Sequence, residues 1–180
     1  MRDLVYISYS HRDKRFHQEL REILDRDVRI RDILWDDTKI RKGATRNEEI
    51  AKHVARAKVM VMLVSPHYLA PDGSAWDGEI KPALAARERG ELIVLWIPLA
   101  PIRVSETPFS DIRAASDVSR PLEQLKAAER RLALKEVRAA IVALLGLDRS
   151  GQYDTFLSHN SKDKAAVVVD YIEKRAGLLV

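Results

Sequence analysis

The sequence predicts an α/β fold in which an open parallel sheet carries helices on both faces. Two observations lead there. Short apolar runs alternate with stretches whose apolar residues recur at helical spacing, the order of strand–helix–strand units. The run Val59-Met60-Val61-Met62-Leu63-Val64 is apolar at every position, as a strand covered on both faces requires.

The elements follow in order. Leu4 to Ser8 reads as the first strand. Residues 12–26 place Phe16, Leu20, Ile23 and Leu24 at helical spacing and form an amphipathic helix. Ile30 to Trp35 reads as a second strand, interrupted by Arg31 and Asp32, and a polar loop runs from Asp36 to Gly43. Residues 46–57 align Ile50, Val54 and Ala57 on one helical face. After the central strand, Ser65-Pro66 ends the run, and the stretch His67 to Ala75 is a loop broken by Pro71-Asp72-Gly73-Ser74. A helix is predicted from about Gly78 to Arg89, stopped by Gly90, with Pro82 in its first turn or so. Leu92 to Leu99 is a further strand, and residues 101–122 are irregular. A long helix over roughly 123–145 turns Leu125, Leu132, Val137, Ile141 and Leu144-Leu145 inward. In such open sheets the ligand crevice lies outside the carboxyl ends of the strands. That puts Ser8 to Arg12, Trp35 to Gly43, Ser65 to Trp76 and Pro98 to Ile102 around one edge.

A string near the start returns near the end. Residues 6–14 read Tyr-Ile-Ser-Tyr-Ser-His-Arg-Asp-Lys and residues 156–164 read Phe-Leu-Ser-His-Asn-Ser-Lys-Asp-Lys. In each, an apolar strand ends in Ser, a polar turn follows, and an acid sits three residues after Ser10 or Asn160, the pattern of a capped helix start. The expected organisation is one domain over 1–145, a linker over 146–152, and over 153–180 the truncated start of a second copy, too short for a core of its own.

Composition sets the class. The chain of 180 residues is 46% hydrophobic and 32% charged, enough for a core and a soluble surface. Cysteine is absent, which excludes disulfides and thiolate metal sites. No apolar run approaches the length of a membrane-spanning helix, and the start lacks the apolar core of a signal peptide, so a cytosolic protein is expected. The net charge of +4 comes from basic residues interleaved with acids, as in Arg12-Asp13-Lys14-Arg15, and argues for a mixed solvated surface rather than a nucleic-acid stripe. The five histidines show no ligand spacing, so no metal is expected.

Taken together, several motifs resemble those of a TIR (Toll/interleukin-1 receptor) domain of the kind common in prokaryotes. Tyr6-Ile7-Ser8-Tyr9-Ser10 resembles the opening strand motif. Trp35-Asp36-Asp37 through Gly43, then Asn47-Glu48-Glu49-Ile50, resembles the acidic pair and BB loop. Val61 to Ser65 resembles the central strand, Ala75 to Ile80 the segment with the catalytic glutamate of enzymatic members, and Ile112 to Leu122 the tail of one bacterial subgroup. Tyr153 to Asp163 resembles the start of a second, non-identical TIR domain. Arg46 stands where many bacterial members have an aromatic, and Trp76 lies one residue closer to the glutamate than usual.

The resemblance implies a flavodoxin-like parallel sheet and one of two functions. The first is cleavage of the nicotinamide–ribose bond of NAD, or cyclisation of its ADP-ribose part, upon self-assembly. The second is a non-catalytic adaptor working through TIR–TIR contacts, with Lys39 to Arg46 as a contact surface. It names Glu79 as the catalytic residue and Ser8, Tyr9, Arg12, Trp35 and Trp76 as the residues that bind NAD, a substrate rather than a cofactor. Partners are NAD and other TIR domains, with no nucleic acid and no membrane.

The residue chemistry is consistent with these roles. Nicotinamide leaves as a neutral base, so the demand is for one carboxylate beside the positive charge growing on the ribose. Glu79 at a helix start, where the dipole favours an anion, meets it; helix stabilisation alone is the other reading of that acid. Arg12 and the first amides of the first helix offer donors to a pyrophosphate, Arg12 being equally readable as surface charge, and Ser10 reads as a plain cap. Trp35 reads as a core aromatic or a base-stacking one, and Trp76 lies beside the proposed ribose site. Asp36 and Asp37 do not make a phosphoacceptor site like that of response-regulator receivers, because the central strand ends in Ser65, where Asp is needed.

Overall fold

A computed structural model describes residues 2–70 and 75–147; the expected linker beyond 147, the repeat at 156–164 and the second-domain start at 153–180 lie outside the described residues. Contacts group the chain into residues 1–138 and residues 139–180.

The first unit is built on four parallel strands in the order β2-β1-β3-β4, with β1 Leu4–Ser8, β2 Leu34–Trp35, β3 Ala57–Val64 and β4 Ile93–Pro98. Register pairs Tyr6 with Trp35 across β1–β2, Ser8 with Met62 across β1–β3, and Val64 with Pro98 across β3–β4. Every residue of β1 is buried, and β3 is buried except at Lys58. Both faces are covered, as the unbroken apolar run requires. Tyr6, Met60, Met62, Val64 and Trp96 pack in one cluster with Ile50 and Val54 of α3 (Arg46–Arg56) and Ala83 and Ala86 of α4 (Lys81–Glu88). Val59, Val61 and Leu63 alternate to the opposite face and are equally buried. There α1 (Lys14–Asp25) contributes Leu20 and Leu24, and α5 (Ala127–Leu144) contributes Leu134 and Val137. Arg130 of α5 ties the two helices by donating to Glu19.

Three expectations are corrected. The second strand is only Leu34–Trp35, and Ile30 sits in a helical turn, α2 (Val28–Arg31). The side chain of Asp27 caps that turn by accepting from the Arg29 amide at 3.2 Å, which commits Val28 to Arg31 to helical geometry despite their β-branched residues.

The helix expected from Gly78 is α4, and it starts later, at Lys81. Trp76–Ile80 ahead of it is a π-helical turn, with the Lys81 amide bonded to the Trp76 carbonyl. Pro82, at the start of α4, lacks the amide hydrogen that would tighten this turn into an α-helix. Gly90 ends α4 with φ 73°, as expected.

The last helix begins at Ala127 rather than 123, after a 3-10 turn over Leu122–Gln124. Leu132 points outward at 59% exposed, while Arg130 is buried at 5%. The inward face runs Arg130, Leu134, Val137, and Leu132 lies about half a turn off it.

In the second unit the described residues finish α5. Gly146 adopts φ 66°, its amide donates to Ala143 at 2.9 Å, and the Leu147 amide donates to Val142 at 3.0 Å, a Schellman stop. Among the described residues no helix is long and apolar enough to cross a membrane.

Candidate active site

Strand periodicity places the first two groups. Tyr6 and Ser8 are two residues apart on β1 and so face the same side of the sheet. That side is met by the π-helical turn, which carries Glu79. Ser8 Oγ donates to Glu79 Oε2 at 2.5 Å, and the Tyr6 hydroxyl donates to the same carboxylate. Tyr68, in the loop after β3, brings its hydroxyl to 2.7 Å from Ser8 Oγ. Its backbone is fixed by Ser65 Oγ, which accepts from the Tyr68 amide at 3.1 Å and donates to Asp13 at 2.6 Å. Glu79 is 6% exposed, Ser8 1% and Tyr68 2%. Burial pushes the Glu79 carboxyl above its ordinary range, and the Ser8 and Tyr6 hydroxyls pull against that push. Burial raises both tyrosines as well, with the Glu79 charge adding to it. The helix-dipole support foreseen for Glu79 gives way to these side-chain donors.

Beside this network stands an acidic pair, Asp36 and Asp37. Asp36 is fully buried. It accepts from His17 Nε2 at 3.1 Å, from the Thr38 amide at 3.0 Å, from the Thr38 hydroxyl and from Arg21. Burial works to raise its carboxyl, but the His17 and Thr38 bonds and the Arg21 charge outweigh it and hold the group well below the usual range. Asp37 meets His11 Nε2 at 2.5 Å and accepts from Arg46 at 3.2 Å and from the Tyr9 hydroxyl. Burial again opposes, and the His11 and Arg46 bonds again win, so Asp37 is lowered. The Asp37 and Arg46 charges both act on Glu79, the first raising it and the second lowering it. These ends of β1, β2 and β3 thus form one electrostatic neighbourhood.

Among the named site residues, only Ser8 is brought against Glu79. Tyr9 is half-buried, stacked on His17 at 3.9 Å and 7°. Trp35 is 6% exposed, stacked on His53 at 4.0 Å with Tyr6 at 4.9 Å on its other neighbour contact. Arg12 is exposed, 3.5 Å from His67 Nδ1. Two amides foreseen as phosphate donors are occupied: Arg12 N bonds Ser10 Oγ at 3.4 Å and Asp13 N bonds the Ser10 carbonyl at 2.7 Å. Trp76 is 43% exposed. Tyr6 and Tyr68 are the members of this hydroxyl network that the sequence did not single out. The period-two relation to Ser8 could have flagged Tyr6; nothing local to Tyr68 signals a partner across the sheet.

Glu79 therefore lies neither in an open cleft nor in a surface salt bridge, but in a buried hydroxyl network. A separate hollow lies between α1 and α5, lined by Glu19, Ile23, Arg26, Arg130 and Leu134. It shares no residue with the Glu79 neighbourhood, and its Arg130 is already committed to Glu19. Among the described residues no cluster of His, Asp and Glu could hold a metal ion. No curated protein matches the chain. The TIR domain family matches residues 5–133, from β1 into the first turns of α5, and the chain belongs to that family.

Proposed function

We propose that this TIR domain cleaves the nicotinamide–ribose bond of NAD, with Glu79 as the catalytic residue, and does so on self-assembly. A TIR domain is a signalling module that associates with other TIR domains, so the enzyme reading adds a chemical output to that role. The observation that carries it is Glu79: a carboxylate at the carboxyl edge of a parallel sheet, held by Ser8 and Tyr6 in a low-dielectric pocket. A fixed charge in such surroundings acts far more strongly on a developing cation than it does in water.

Nicotinamide departs with the electron pair of the carbon–nitrogen bond. The ribose carbon becomes cationic, and the Glu79 carboxylate stabilises it. Water adds at that carbon and releases a proton, giving ADP-ribose; an internal nucleophile of the ADP-ribose part gives a cyclic product instead. Arg12 is an exposed cation at this edge that can meet the pyrophosphate. Trp76, 43% exposed, is available to stack on a base or on nicotinamide. Ser8 and Tyr9 line the strand end, and Trp35 supports from the core.

The alternative is a non-catalytic adaptor, and the burial of Glu79 favours it: at 6% exposure a ribose reaches the carboxylate only after neighbouring side chains shift. The deciding experiment is nicotinamide release from NAD at high protein concentration, with Glu79→Gln as control. Release that depends on Glu79 supports the enzyme; no release at any concentration leaves the adaptor.

A further inference from the structure

We propose that Tyr68, acting through Ser8, is a positioning residue that holds the Glu79 carboxyl in its ionised form. The inference rests on the catalytic reading of Glu79 given above. None of the three groups exchanges freely with solvent: Glu79 is 6% exposed, Tyr68 2% and Ser8 1%. Their hydrogen bonds must be satisfied within the chain.

A serine hydroxyl has a single proton. Ser8 Oγ sits 2.5 Å from Glu79 Oε2 and 2.7 Å from the Tyr68 hydroxyl. With Glu79 ionised, the carboxylate only accepts, so the Ser8 proton points to it. The Ser8 oxygen then accepts the Tyr68 proton, and every group in the row is satisfied. With Glu79 protonated toward Ser8, the row reverses. Ser8 donates to Tyr68, and the Tyr68 proton has no acceptor among the described residues. A buried donor left unmade costs more than an ordinary bond contributes. Tyr6, 1% exposed, also donates to the carboxylate, and its bond weakens when the carboxylate takes up a proton. Each donor in such a row also strengthens the next, so Tyr68 makes Ser8 a better donor without touching Glu79.

Other groups set the level against which this row works. Burial raises the carboxyl, Asp37 adds to the rise and Arg46 opposes it. On α3, Glu49 and His53 lie 3.8 Å from one another, and on α4 Lys81 is exposed. The hydroxyl row is thus the main counterweight to burial.

The test uses the intact chain and two readouts. One is the titration midpoint of the Glu79 carboxyl by carbon-13 NMR, its signal identified by loss in Glu79→Gln. The other is the acid limb of nicotinamide release from NAD. Tyr6→Phe removes a direct donor to a charged group, and both readouts should rise by about one pH unit. Tyr68→Phe should raise both by less, slowing the reaction several-fold on the acid limb and recovering at higher pH. A Tyr68→Phe variant that is slowed equally at every pH, with an unmoved midpoint, would show that Tyr68 only packs. If Tyr68→Phe does not fold, Ser8→Ala carries the test, and an unmoved midpoint there overturns the proposal. A midpoint that moves in a protein that never cleaves NAD upholds the positioning role and removes the catalytic one.

Discussion

At Glu79, the proposed catalytic role and stability pull in opposite directions. Its folded-state value lies above its ordinary one, chiefly through burial. For such a group, stability is fully present below the ordinary value of about 4.3 and is lost as pH rises through the folded value. Glu79→Gln keeps the size and removes the charge. The variant should melt no lower than the parent at neutral pH, and higher if the carboxylate is strained there. NAD cleavage should fall by ~100-fold or more, the scale for loss of one electrostatic stabiliser. Thermal melts and nicotinamide release decide both, and near-normal turnover in the variant would remove the assigned role. Asp36 has the opposite sign. Its folded value is depressed, because the His17 and Thr38 bonds and the Arg21 charge outweigh burial. Its contribution is present above the ordinary Asp value of about 3.9 and is lost as pH falls below it. Asp36→Ala strands Arg21 and His17 around an empty site and should cost about 3–5 kcal/mol. Denaturant melts at pH 7 and pH 3 check the pair: the deficit should shrink at the lower pH.

Elements explain which parts of the site were legible in the sequence. The unbroken apolar run of β3 has one reading, and the strand is where it was expected. Ser8 at the end of β1 followed from strand order, because parallel connections return every carboxyl end to one edge; Glu79, beyond the edge segment that ends at Trp76, followed from the family resemblance of Ala75 to Ile80. Local signals failed where long-range pairing decides. Two residues of β2 suffice because their register with β1 is supplied by neighbours such as the Ile33 carbonyl, which accepts from Val5 at 2.9 Å. The π-helical turn came from a proline that sequence reading placed correctly but whose effect on the preceding turn it missed. The phase of α5 was misjudged at Leu132, because a buried arginine holds the inward slot at 130 through its pair with Glu19. That phase makes a direct comparison possible. Leu132→Lys should change stability by under about 0.5 kcal/mol, whereas Leu134→Ala, fully buried, should cost about 2–5 kcal/mol. A large loss at Leu132 would restore the original phase.

On the scale of the whole molecule, the catalytic reading needs an explanation for a carboxylate that is nearly covered. The proposed self-association would supply one. The polar loop between β2 and α3 is exposed from Arg41 through Thr45, and it leads directly into Arg46 at the start of α3, which bonds Asp37 at 3.2 Å. Asp37 and Arg46 both act on Glu79. A partner that grips this loop therefore pulls on charges that already bear on the site. Gly43 at φ 86° has nothing within 4 Å of where a side chain would sit, so the loop's turn rests on glycine's backbone freedom rather than on packing. Such a segment can change shape at little cost to the sheet. Specific activity should accordingly rise with protein concentration and with crowding agents. Reversing the two exposed cations at the loop tip, Arg41→Glu with Lys42→Glu, should shift that rise to higher concentration while leaving the melting temperature within a few degrees of the parent, since neither residue is buried. The measurement is nicotinamide release per molecule across a dilution series, run beside light scattering. A flat series for the parent, or a series that the double variant does not displace, would show that the site works within one chain and that the loop has no part in opening it.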